Sequence, residues 1–357
     1  MSARNHVRNV VGCEVLRFHT RVKIVKPEIH GVRSAHKRGL KRGHISCGRK
    51  KFQHAFSIPH ERLVCNKVAI YCYTKKIWYN MPMTTFLCPV CKTPLCESDK
   101  CAVCSHAHVF DRAKEGYFYL LNPQDKNSKD PGDNKDMVRA RRDFLDGDFY
   151  LPLATEIAKE ITERFPEKIT LLDAGVGTGY YLNALARARG NDKDVYFGVD
   201  VSKHAVKIAA KRNKAAHIAV ASVFDLPFAD KSFDVVTCVF SPYAMQEYSR
   251  VLKDGGLLIL AYPYGNHLLE LRQALYENVR DNTTSLPPCS DFELALEKEL
   301  TYTVTARGNQ IDNLLTMTPY VYRAPKDSVE KVRAKTELSL TCDFHISVLK
   351  KISHIDK

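Results

Sequence analysis

The sequence is short of four things. It has no run of about 18 apolar residues that would make a membrane-spanning helix, and no basic start followed by an apolar core that would mark a secretory leader. It has one tryptophan, Trp78, so large aromatic surfaces must come from its 17 Tyr and 16 Phe. Residues 1–80 hold no aspartate, and against 18 Lys and Arg they set only Glu14, Glu28 and Glu61. The formal net charge of +14 is therefore lent by that segment, because residues 81–357 carry 36 Lys and Arg against 37 acids. A basic total ordinarily announces an anionic partner. Here the body is neutral, so phosphate binding by it must come from local patches.

At 357 residues, 45% hydrophobic and 26% charged, the chain can build two or three globular units with ordinary cores. Residues 1–82 read as a basic extension, since their apolar positions keep neither helical nor alternating periodicity for long. The favoured explanation is a start placed too early, ahead of Met81 and Met83. An RNA-binding arm around Lys37–Lys51 is the second explanation. A transit peptide fits worst. The thiols are expected to be reduced, in the cytosol.

Of the 12 cysteines, Cys88, Cys91, Cys96, Cys101 and Cys104 fall within 17 residues, followed by His106 and His108. Cys88-Pro89-Val90-Cys91 makes a tight turn whose two sulfurs converge, and a second pair would complete a tetrahedral zinc site. Either Cys101 with Cys104, or Cys104 with His108, can close it. A metal would replace the core that so short a segment cannot build. With four places filled it would hold a partner in position rather than catalyse.

From about residue 153, amphipathic helices alternate with short apolar strands, the pattern of an α/β sheet. Ile169 to Ala174 reads as a strand, followed by Gly175-Val176-Gly177-Thr178-Gly179 and a helix. Glycines let the backbone turn sharply and come close to a ligand. The acid at Asp173 is wrong beside a pyrophosphate and right beside an ammonium, and Tyr180 stands where a dinucleotide fingerprint needs Gly or Ala. The D-x-G-x-G-x-G pattern resembles the first motif of class I S-adenosylmethionine methyltransferases. Asp200, ending the strand from Val195, then suits both ribose hydroxyls. Ser222, after a third strand, lies near the expected adenine. Strands from Ser232 and Leu257 complete the order.

The chain from Met83 onward resembles the RlmA family, bacterial enzymes that methylate guanine N1 in a hairpin loop of 23S rRNA. The matching stretches are Cys88-Pro89-x-Cys91, Cys104-x-x-x-His108-x-Phe110-Asp111-x-Ala113 to Tyr117, Ser128-x-Asp130 to Asp133, Ala140-Arg141-Arg142-x-Phe144-Leu145-Asp146 and Met317 to Tyr320. The resemblance implies zinc on Cys88, Cys91, Cys104 and His108, with Cys101 a competing thiol. It implies cofactor contacts from Tyr150, Val176, Gly177 and His267, and two subunits gripping one RNA. The Asp130–Asp133 and Ala140–Arg142 runs look closer to the subgroup acting at guanine 745 than to that acting at guanine 748.

The expected fold is therefore a class I methyltransferase, a Rossmann-like α/β sheet, with a small N-terminal zinc-binding domain. Its parts are residues 83–118 for zinc, 119–150 as linker and short helix, and 151–357 for methyl transfer. Guanine N1 carries a proton and faces a pairing partner, so the base must be unpaired or extruded before attack. The turn Phe240-Ser241-Pro242-Tyr243, after the fourth strand, is the expected place for it. Tyr243 would stack on the base, and Ser241 or a backbone carbonyl would accept the N1 proton, with Glu247 the nearest carboxylate. Arg139, Arg141 and Arg142 would meet phosphates. Two rivals are a methyltransferase for a small molecule such as a quinone precursor, and a non-enzymatic zinc protein that binds RNA.

Overall fold

The computed structural model describes residues 85–122, 131–279 and 289–353. The basic extension, Met81, Met83, Ser128 and Asp130 lie outside the described residues.

Three short antiparallel strands open the described chain: β1 (Leu95–Glu97), β2 (Cys101–Cys104) and β3 (Val109–Asp111), in the order β1-β2-β3. Next come β4 (Phe118–Tyr119) and two helices, α1 (Lys135–Leu145) and α2 (Leu151–Arg164). Asn134 starts α1 by accepting the N–H groups of Asp136 and Met137 with its side chain. The alternating part follows: β5 (Thr170–Ala174), α3 (Tyr180–Arg189), β6 (Val195–Asp200), α4 (Lys203–Arg212), β7 (His217–Val220), β8 (Phe233–Val239), α5 (Met245–Val251) and β9 (Leu252–Pro263). The chain ends with α6 (Leu269–Leu275), β10 (Phe292–Arg307), α7 (Asn309–Met317), α8 (Lys326–Arg333) and β11 (Glu337–Lys351).

These strands form one sheet in the order β10-β11-β9-β8-β5-β6-β7-β4. The middle strands run parallel, whereas β11 is antiparallel to both β9 and β10. Strands covered on both faces read as unbroken apolar runs, and β5 buries Leu171, Leu172, Asp173 and Ala174. From β5 the chain goes first to β6 and β7 on one side, then to β8 and β9 on the other. That reversal opens a crevice at the carboxyl ends of β5 and β8, where open α/β sheets hold ligands.

The edge at β4 joins the ribbon to the sheet. Phe118 and Tyr119 pair in parallel with Ala219 and Val220, so the boundary expected between residues 118 and 119 falls inside a strand rather than at a break. Phe86, fully buried, packs on Phe118, Phe197 and Phe228 with ring centroids 6.3, 5.6 and 5.2 Å away. Leu87 N–H donates to Pro227 O, and Lys92 pairs with Asp225 at 2.6 Å. The ribbon thus shares a hydrophobic layer with one face of the sheet. Among the described residues no helix is long and apolar enough to cross a membrane.

Candidate active site and metal centre

Two similar knuckles build the metal centre. Lys92 N–H returns to Cys88 O and Ala107 N–H to Cys104 O, and Lys92 and Ala107 take left-handed backbone conformations that close these turns. The ligand atoms of Cys88, Cys91, Cys104 and His108 all lie within 4.8 Å of one another. His108 Nδ1 is 3.5 Å from Cys88 Sγ and 3.4 Å from Cys104 Sγ, and Cys91 Sγ is 3.6 Å from Cys104 Sγ. Thiolates about 2.3 Å and an imidazole nitrogen about 2.0 Å from a tetrahedral zinc stand roughly 3.5–3.8 Å apart, so the donor set fits that ion. Of the two closures, the one through His108 is built. Cys101 sits in β2 with its sulfur 3.6 Å from Ser98 Oγ, outside the group.

The glycine loop follows β5. Gly175, Gly177 and Gly179 have φ of 91°, 52° and 73°, backbone that disfavours side chains. A Cβ on Gly175 would lie 2.1 Å from Ser241 Oγ, and one on Gly179 would lie 2.9 Å from the Ala209 backbone. Gly175 and Val176 N–H groups both donate to Val199 O, which ties the loop to β6. Asp200, at the end of β6, accepts Gly177 N–H on Oδ2 at 2.9 Å and Ser202 N–H on Oδ1 at 2.8 Å. Each oxygen keeps a second lone pair for a ribose hydroxyl. Asp173 is buried beneath the loop, and burial pushes its carboxyl up to about 7, although Thr237 donates to it at 3.0 Å. A buried acid poised at neutrality would ionise beside an ammonium. Ser222, two residues past β7, accepts Phe224 N–H with its hydroxyl and leaves Phe224 exposed at that edge.

Tyr150 and His267 are brought together from opposite ends of the domain. Asp343 N–H donates to His267 Nδ1 at 3.3 Å, so Nε2 carries the proton and donates to Tyr150 Oη, also at 3.3 Å. Burial, then the Arg272 guanidinium, hold this imidazole down at about 3, so it stays neutral. Two residues that the sequence reading passed over lie at the same loop. Thr178 Oγ1 and Tyr181 Oη are buried hydroxyls with no hydrogen-bond partner among the described residues. Buried polar groups are seldom left so, and a ligand rich in polar atoms answers both. Their only sequence signal was Thr-x-x-Tyr inside the glycine loop and first helical turn. The loop, the two acids and these hydroxyls fit S-adenosylmethionine.

The turn after β8 faces this loop. Phe240 is held at φ 54°, left-handed for a bulky residue and so strained, and is 37% exposed. Its ring lies 6.0 Å from Tyr150 and 6.1 Å from Tyr181. Cys238 Sγ–H donates to Ser241 O and Tyr248 O–H to Pro242 O, so both carbonyls already accept a proton. Tyr243 is half-buried against Tyr262, with ring centroids 6.2 Å apart. Glu247 is committed elsewhere: Oε2 accepts Leu226 N–H, and both oxygens meet Arg250. Arg141 is likewise occupied, donating to Asp133 at 2.7 Å and to Met317 O at 2.9 Å, and Arg142 pairs with Asp143. Arg141 thus ties α1 to the end of α7, whereas Arg142 pairs with its own neighbour on α1; of that run only Arg139 is exposed.

The sheet order, glycine loop and acid-ended second strand define a class I methyltransferase, and the methyltransferase domain description matches residues 172–260. The description of the RlmA N-terminal zinc ribbon matches residues 86–129. YxjB of Bacillus subtilis, whose name proposes 23S rRNA (guanine-N1)-methylation, is 33% identical over 274 residues, 74% of this chain and 96% of that protein. The 23S rRNA (guanine(748)-N1)-methyltransferase of Streptomyces fradiae is 31% identical over 72% of this chain and 95% of its own length. The demethylmenaquinone methyltransferase of Thermotoga maritima is 30% identical over only 35% of this chain. The chain belongs to the RlmA family of 23S rRNA (guanine-N1)-methyltransferases.

Proposed function

We propose that this chain transfers a methyl group to N1 of a guanine in a hairpin loop of 23S rRNA, in the cytosol. The observation that carries the reading is the fusion of a metal-held ribbon to the edge of the cofactor sheet, through Phe118, Tyr119 and the Lys92–Asp225 pair. Likeness over nearly the whole length of two proteins named for this reaction supports it, whereas likeness to a quinone methyltransferase covers little more than a third of the chain. The Asp130–Asp133 and Ala140–Arg142 runs favour guanine 745, and a relative acting at guanine 748 makes that position the alternative.

S-Adenosylmethionine, when bound, supplies a methyl on a positively charged sulfur. The loop from Gly175 to Gly179 and the carboxylates of Asp173 and Asp200 hold the nucleoside and amino-acid ends. Tyr150, fixed by neutral His267, closes the crevice from the α2 side. Ser241 lies directly on Gly175, so an extruded guanine at this turn meets the cofactor loop without a further element between them. The Ser241 hydroxyl, which lies on the Gly175 loop, is the acceptor assigned to guanine N1–H. In transfer the bound cofactor would supply the methyl, and Ser241 Oγ would take the N1 proton while passing its own hydroxyl proton to solvent. Phe240 and Tyr243 offer rings to the base. Most of the rate then comes from positioning.

Two expected results follow from these assignments. Ser241→Ala lowers kcat on an rRNA hairpin by about tenfold to a hundredfold, in the range of lost proton-transfer assistance, and leaves cofactor affinity unchanged by calorimetry. A fall in cofactor affinity with unchanged kcat would place Ser241 in cofactor binding instead. Second, a carboxyl near 7 that must be ionised to hold an ammonium makes cofactor affinity rise with pH up to about 7 and level off above it. Asp173→Asn should remove that pH dependence and weaken binding. A flat profile in the unaltered chain would mean that Asp173 does not meet the ammonium.

The direct test of the acceptor is methyl incorporation from labelled S-adenosylmethionine into a 23S rRNA hairpin, with demethylated quinones as competitors. Primer extension then reads the position, since a methyl on N1 blocks pairing. Label in the hairpin with a stop at guanine 745 supports the full reading, and a stop at 748 moves the position alone. Label only in a quinone overturns the rRNA assignment.

A further inference from the structure

We propose that the exposed lysine stripe of α4, continued onto the rim of the ribbon by Lys114, is the track on which the phosphate backbone of the RNA hairpin's stem lies. The proposal rests on the rRNA reading above and adds the surface that it lacks.

Lys203, Lys207 and Lys211 recur every fourth residue, and Lys214 follows three later in the turn beyond the helix, so all four face one way. All four are exposed, as is Lys114. Among the described residues, Lys114, Lys203, Lys211 and Lys214 have no acidic partner; Lys207 alone pairs, with Glu115 at 3.4 Å. Of the other cations nearby, Arg212 pairs with Asp146, Arg141 with Asp133 and Arg142 with Asp143, whereas Arg139 is exposed. In residues 81–357, where charges of the two signs nearly cancel, five lysines on one surface with a single acid among them form a local excess.

The stripe also has a place in the fold. It begins three residues after Asp200, where Ser202 Oγ donates to Asp133 O and seats the start of α4 beside the cofactor crevice. It ends at an open pocket of about 390 Å³ lined by Lys114, Glu115, Gly116, Ala210, Lys211 and Lys214. From Lys203 to Lys211 the helix advances about 12 Å, a few phosphates of one strand. Lysines are mobile point charges that grip phosphates without reading sequence. The surface therefore suits a helical stem, leaving the loop nucleotide free to enter the crevice.

The test measures binding of the full chain to the 23S rRNA hairpin transcript against salt concentration. Each phosphate neutralised contributes a slope of roughly 0.7–0.9 in log affinity against log salt. The variant with Lys114→Gln, Lys203→Gln, Lys211→Gln and Lys214→Gln should lose about 3 from that slope and bind at least tenfold more weakly at about 0.1 M salt, with cofactor affinity unaltered. A control with the same loss of charge at exposed lysines elsewhere, Lys159→Gln, Lys168→Gln, Lys193→Gln and Lys326→Gln, should keep the original slope. An unchanged slope in the first variant, or an equal loss in the control, overturns the track while leaving the rRNA reading intact. Absence of hairpin binding by the unaltered chain overturns both.

Discussion

Gly175→Ala is expected to abolish methyl transfer. The added Cβ would stand 2.1 Å from Ser241 Oγ and 2.5 Å from Ser241 Cβ, on a backbone held at φ 91°. Both the loop and the turn would have to move, and they are the two walls of the crevice. A misplacement of about 1 Å at a reacting centre can cost about a hundredfold, and here the cofactor side and the base side shift together. Turnover on the hairpin should fall by at least that factor, with cofactor affinity also reduced. The folded state survives, because the core beneath, Leu171, Leu172 and Val236, is not touched. Calorimetric titration and single-turnover rates check this. A variant with ordinary affinity and rate would show that Ser241 does not rest on the loop in solution.

The second large effect concerns the metal. Cys104 lies at the meeting point of the cluster, near both Cys91 Sγ and His108 Nδ1, and its sulfur also accepts His108 N–H. Cys104→Ala should take bound zinc from about one ion per chain to nearly none, since three-ligand sites of this kind do not hold a structural ion. Small metal-built units lose their fold with the ion. Methylation of the hairpin is then expected to drop by about a hundredfold or more, while cofactor affinity changes little, because Asp173, the glycine loop and Asp200 sit on β5 and β6, inside the sheet. Metal analysis beside the two activities decides it. Full zinc occupancy in the variant, or undiminished RNA methylation without zinc, would contradict the role given to the ribbon.

The buried parallel strands were legible because full burial demands continuous apolar residues, as in Ile169 to Ala174, and because glycines mark the turn that follows. The last two strands were not. β10 and β11 run over 16 and 15 residues, longer than the apolar runs within them. β10 is the sheet's edge and exposes one face, so Glu293, Glu297, Lys298 and Glu299 interrupt the apolar signal. The cysteine spacing announced a metal but left two closures open, because spacing does not say that Cys101 is taken up in a strand.

Site residues divide in the same way. Asp173 and the loop glycines follow from chemistry at fixed offsets within one strand-turn-helix unit, and Asp200 ends the strand that comes next. Tyr150 and His267 are 117 residues apart and meet only in the fold, so they were reached through family resemblance alone. Arg141 and Glu247 show the opposite case. A sequence displays their charge and hides the partners, Asp133 and Arg250, that use it. Lys114 lies far from the α4 lysines in sequence and meets them only in the fold.

One chain is assigned cofactor, metal and a guanine of rRNA in a single reaction. Mass spectrometry of the nucleosides released from a 23S rRNA hairpin, after incubation with the full chain and S-adenosylmethionine, tests it most directly. The expected new nucleoside is 1-methylguanosine. No methylated nucleoside, or a methyl on another base or another guanine atom, from a chain that still binds the cofactor, would contradict it.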